Sequence, residues 1–84
     1  MKKGDIVKIM KAGITLNGYE DITAHVLLHG NTGCLCVIVE EDGHEIYENK
    51  VFITNGEGIR EIRKDMKTML REAGRRRRHD GEIL

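Results

Sequence analysis

Eighty-four residues are enough for one domain with a small hydrophobic core. Fourteen Lys or Arg balance 14 Asp or Glu, and a composition 33% charged and 39% hydrophobic fits a soluble globular chain and excludes a disordered one. A transmembrane helix is excluded because no run of about 18 apolar residues exists.

At the N-terminus, Asp5 and Lys8 interrupt the apolar stretch that a signal peptide needs. Two cysteines cannot make a disulfide framework, so free thiols in a reducing, cytoplasmic setting are expected. Short β-rich runs follow, predicting strands at Ile6–Met10, Thr23–His29, Cys34–Glu40, His44–Glu48 and Val51–Thr54. A long irregular loop spans Lys11 to Ile22, and Asn49-Lys50 forms a very short last link. Asp42-Gly43 supplies the positive-φ pair of a type I′ hairpin turn, and Gly30-Asn31-Thr32-Gly33 has the chemistry of a four-residue turn.

These turns set a register. The first pairs His29 with Cys34, Leu28 with Leu35, Leu27 with Cys36 and Val26 with Val37; the second pairs Val39 with Ile46 and Ile38 with Tyr47. One face then carries Ala24, Val26, Leu28, Leu35, Val37, Val39 and Ile46, all apolar. The other carries His25, Leu27, His29, Cys34, Cys36, Ile38 and Tyr47, a half-apolar set that needs a cover.

Residues 55–74 are expected to be that cover. Ile59, Ile62, Met66, Met69, Leu70 and Ala73 recur at helical spacing within an arc of roughly 100°. Thr54 or Asn55 caps the start and Gly74 ends the helix. Packing on the strands is expected; a dimeric coiled coil is the alternative, although two heptads are short for one.

The opening Gly4-Asp5-Ile6-Val7, the long first loop, two tight hairpins, the two-residue link and the short last strand resemble an SH3-like small β-barrel over roughly residues 4–54. The resemblance implies a five-stranded antiparallel barrel over 1–54. With the helix over 55–74 and a flexible Arg-rich tail over 75–84, the whole is expected to be α+β. The resemblance also implies binding of peptide, RNA or DNA rather than catalysis. Tyr19 is the only aromatic before the hairpins, which argues against a polyproline groove.

Charge is unevenly placed. Residues 1–58 hold five Lys, no Arg and nine acids, whereas residues 59–84 hold nine basic residues and five acids. On the helix, Arg60, Arg63, Lys64, Lys67 and Arg71 share one flank of the apolar stripe, with Glu61, Asp65 and Glu72 on the far side. With Arg75, Arg76, Arg77 and Arg78 they form a candidate surface for nucleic-acid phosphates or an acidic protein. A solvated tail is the plain alternative for the four-Arg run.

Glu40, Glu41, Asp42, Glu45 and Glu48 crowd the second hairpin, either as a solubilising tip or as a face for a basic protein partner. Such a barrel would suit an inhibitor or adaptor encoded by a phage or other mobile element. His25, His29, Cys34 and Cys36 are the residue types of a structural zinc site, but Cys-x-Cys departs from finger spacing, and a buried Cys pair under the helix is the alternative. Gly56-Glu57-Gly58 echoes a dinucleotide fingerprint and fails it at Glu61. No catalytic constellation or cofactor is implied. The expectation is a non-enzymatic binding module, monomer or homodimer, that contacts nucleic acid through the basic helix and tail, or else binds a protein through its charged surfaces.

Overall fold

The computed structural model describes the backbone of residues 3–83 and the side chains of residues 4–75. In the N-terminal segment, Ile6, Ile9, Gly13 and Leu16 recur every three or four residues, which aligns them on one side of a helix. Helix α1 accordingly runs Lys3–Leu16 and buries Ile9 and Leu16 completely. Strands β1 (Ile22–His29), β2 (Cys34–Glu41) and β3 (His44–Phe52) follow, then helix α2 (Gly56–Ile83).

The strands form an open antiparallel sheet in the order β1-β2-β3. Alternation on β2 sends Leu35, Val37 and Val39 to one face, where each is fully buried. Both helices cover that face: Ile9 and Leu16 of α1 and Ile59, Ile62 and Met66 of α2 join Ala24, Leu35, Val37 and Val39 in one core. The apolar stripe of α2 is therefore spent on its own sheet and on α1, not on a coiled coil.

This architecture replaces the five-stranded SH3-like barrel. The expected first strand, Ile6–Met10, and the first half of the expected loop are α1, because only helical spacing gathers Ile6, Ile9 and Leu16 on one side. The expected fourth and fifth strands are a single β3, since Tyr47, Asn49 and Val51 pair in phase with Val39, Val37 and Leu35 straight through Asn49-Lys50. Three strands cannot close, so helices take over the covering that barrel closure would provide.

The β1–β2 register is the one the Gly30–Gly33 turn dictates, from His29↔Cys34 to Ala24↔Val39. Asp42 and Gly43 have φ of 52° and 80°, the double positive pair of a type I′ turn. Beyond it, a bulge between Val39 and Glu40 shifts the pairing, so Val39 meets Tyr47 and Ile38 meets Glu48. The expected pairs Val39–Ile46 and Ile38–Tyr47 are thereby corrected: Tyr47 turns toward the helices, and Ile46 is left 51% exposed.

Two further corrections concern covering and length. The helices lie on the uniformly apolar face, so the face with His25, Leu27, His29, Cys36 and Ile38 stays open. Cys34 is buried on that open side, beside Thr32 and Phe52, rather than under a helix. Asn55 caps α2 as expected, its Oδ1 accepting the Gly58 N–H at 3.0 Å. Gly74 does not end the helix: an interior Gly costs about 1 kcal/mol, no Pro follows, and the backbone expected to be a flexible tail is helical as far as Ile83.

Candidate nucleic-acid interface

Arg63 and Lys67 of the basic flank of α2 face α1, and α1 answers them in kind. Lys8, Lys11, Ala12 and Thr15 of α1 and Arg63, Lys67 and Leu70 of α2 line one cleft of about 380 Å³ on the helical layer. Ala12 and Leu70, both partly buried against the core, supply its apolar surface. The Lys8, Lys11 and Lys67 side chains are exposed at its walls.

Arg63 is the anchored member. Its Nη1 donates to Asp5 Oδ1 at 2.7 Å, and the Asp5 side chain is only 14% exposed. This pair ties the first turn of α1 to the N-terminal third of α2 and holds the guanidinium at the cleft. Four cations and one carboxylate leave a formal charge of three positives around a single concavity. Like charges gathered around one concavity favour a multivalent anion, and among the described residues no acid lines the cleft to neutralise the lysines.

The remaining predicted cations are less concentrated. Arg60 and Lys64 are exposed and share a second concavity of about 630 Å³ with Glu57 and Glu61, whose two negative charges balance theirs. Arg71 and Arg75 are exposed farther along α2. The side chains of Arg76, Arg77 and Arg78 lie outside the described residues.

On the opposite flank of α2, Asp65 Oδ2 accepts the Tyr47 hydroxyl at 2.8 Å, and Asn49 donates to the same hydroxyl at 3.3 Å. Burial, with Asp65 and Glu61 adding to it and Asn49 opposing, pushes the Tyr47 phenol up to about 12. Asp65 thus fastens α2 to β3.

The acidic hairpin residues Glu40, Glu41, Asp42, Glu45 and Glu48 do not line the cleft. Glu40 lies on the open face of the sheet, 2.9 Å from His25 Nε2. His29 and Cys34 are cross-strand partners, as the turn requires, and Cys34 and Cys36 are both free thiols. Among the described residues, no three of His, Cys, Asp or Glu gather to hold a metal ion, so His25, His29, Cys34 and Cys36 do not converge.

Sequence reasoning located the α2 cations and missed Lys8 and Lys11. A signal was present: Lys8, Lys11 and Thr15 fall three to four residues apart beside the stripe Ile6, Ile9, Leu16, so reading the segment as a helix puts them on one flank. Among the described residues, no helix is long and apolar enough to cross a membrane. No protein-family model matches the chain, and no curated protein or solved structure shows significant similarity to it.

Proposed function

We propose that this chain is a non-enzymatic module that contacts nucleic acid through its phosphates, using the cleft between α1 and α2. The observation that carries this reading is the convergence of Lys8 and Lys11 from one helix with Arg63 and Lys67 from the other. Phosphate contacts of this kind release counterions, so affinity falls as salt rises. Arg63, held in place by Asp5, offers a fixed fork for one phosphate, while the three lysines act as mobile point charges. Arg71, Arg75 and the following Arg76, Arg77 and Arg78 extend the same basic character along α2. With three net positive charges at the cleft, the slope of log affinity against log salt is expected near −3 for duplex, and steeper where the distal arginines engage.

Fluorescence anisotropy with generic duplex DNA and duplex RNA over a salt series tests this. Lys8→Ala, Lys11→Ala and Lys67→Ala should each weaken binding and flatten the slope by about one. Arg75–Arg78→Ala should flatten it further. Wild-type protein that fails to bind at low salt, or binds equally well without the three lysines, overturns the reading.

A second reading rests on a different observation. The open sheet face exposes Leu27 and Phe52, 48% and 63% accessible, at the end of the sheet opposite the acidic hairpin turn, with Glu40 and Glu48 farther along the strands. That combination suits a protein partner with a basic rim around an apolar contact. A complex with protein that survives nuclease treatment and is lost in Leu27→Asp would favour it.

A further inference from the structure

We propose that two copies of this chain associate about one two-fold axis, pairing their β1 edges and packing their α1 flanks together. The proposal is independent of the phosphate reading and begins with the backbone of β1. The Ile22 N–H is bonded to the Tyr19 carbonyl, and Asn17 clamps Ala24 by donating to its carbonyl at 2.9 Å and accepting its N–H at 2.7 Å. Even-numbered residues of β1 therefore turn their main-chain groups away from β2. The same alternation directs Val26 and Leu28 outward, and among the described residues neither has a partner on that side.

The two sheet edges are treated differently. Along β3, the outward positions Glu48 and Lys50 are charged, Asn49 Oδ1 occupies the Lys50 N–H, and the bulge distorts the far end. Those are devices that discourage strand addition. The second half of β1, Val26, Leu27, Leu28 and His29, carries no Lys, Asp, Glu or bulge, and its outward positions Val26 and Leu28 are apolar.

Beside this edge, α1 exposes an apolar stripe on the flank away from α2. Val7, Met10 and Ile14 are 46%, 49% and 74% accessible, and Leu28, on the helix-covered face, is 54% accessible. Their i, i+3, i+7 spacing makes a seam that is its own complement when a second α1 runs antiparallel, with Met10 facing its copy and Val7 facing Ile14.

One axis serves both layers. Pairing Val26 with Leu28 of the second copy centres the strand two-fold on Leu27, and keeps the Asn17 clamp at Ala24 opposite Gly30, which has open space around it. The helical seam is centred midway between Val7 and Ile14, two and a half residues before Gly13. Gly13 itself sits over Val26, where an added Cβ would lie 2.9 Å from Val26 Cγ2. At about 1.5 Å per helical residue, that offset is about 4 Å, or roughly one strand residue, and α1 runs opposite to β1. The centre of the seam therefore falls level with Leu27. A six-stranded sheet with four helices on one face results.

So few apolar side chains per copy place the contact at the weak end of specific interfaces, with dissociation in the micromolar range. Sedimentation of nuclease-treated protein between about 1 μM and about 500 μM should show a monomer–dimer equilibrium. Leu28→Lys and Met10→Glu, both at exposed positions, should each weaken it at least about tenfold while leaving the far-UV circular dichroism unchanged. Because the axis brings Met10 against its own copy, Met10→Glu and Met10→Lys should each be monomeric alone and dimerise when mixed. Should either variant at Met10 fail to fold, Leu28→Lys decides alone. Monomer throughout the range, or a dimer indifferent to Leu28→Lys and Met10→Glu, overturns the proposal.

Discussion

Gly13 lets α1 approach the sheet closely. A methyl added there would stand 2.9 Å from Val26 Cγ2, and the β-branched Val26 has little rotamer freedom with which to yield. Gly13→Ala gains helix propensity and loses packing. The balance expected is a net loss of about 1 kcal/mol in urea denaturation. Val26→Ala in the same chain should recover part of it, and simple additivity of the two changes would contradict the close contact. At Tyr47 the phenol is raised to about 12, first by burial, against an unfolded value of 10.0. The unfolded chain releases this proton first, so the stability present below pH 10 is lost as the pH rises toward 12. Tyr47→Phe should fold with a loss of about 1 kcal/mol at neutral pH and a shallower alkaline decline. Parallel declines in the two proteins would show that Tyr47 is not the group responsible.

At the scale of elements, the two hairpins were legible and α1 was not. Turn chemistry is local: Asp42-Gly43 and Gly30–Gly33 each determine a pairing without reference to the rest of the chain, and both turns form as read. The bulge that displaces Ile46 turns Tyr47 toward an Asp65 eighteen residues away, and nothing in the turn sequence itself announces it. The stripe on α1 is hidden because one of its members, Gly13, contributes closeness rather than a side chain, and because Ile6-Val7 and Ile9-Met10 are good strand formers. Half of the candidate interface was hidden with it, since a strand at Ile6–Met10 leaves Lys8 isolated and Lys11 in a loop. The α2 cations were legible because their segregation is a property of one helix. Asn17, beyond the end of α1, belongs to the same lesson: its two bonds to Ala24 stand in for a neighbouring strand. Asn17→Ala should cost about 1–2 kcal/mol, measured by denaturant unfolding, and leave helix content intact.

For the molecule as a whole, the charge split between halves of the sequence becomes a split between surfaces. The cations collect on the helical layer, and the acids of residues 40–48 collect on a hairpin that does not line the cleft. Core side chains on α2 extend to Ala73, so a chain ending after Arg75 should melt within a few degrees of the full-length protein and bind phosphate more weakly. A melting midpoint much lower would mean that the distal turns of α2 support the core after all.

The Asp5–Arg63 pair joins residues 58 positions apart, with the entire β-meander between them. On a ribosome, α1 and the strands emerge well before the partner helix, and closing so long a loop is the slow, non-local part of folding. The basic cleft therefore has no existence in a nascent or prematurely terminated chain, whose hairpins form from local contacts alone. Occupancy of the cleft by a polyanion would report that translation had passed Leu70, so fragments of this protein would not compete with the finished one.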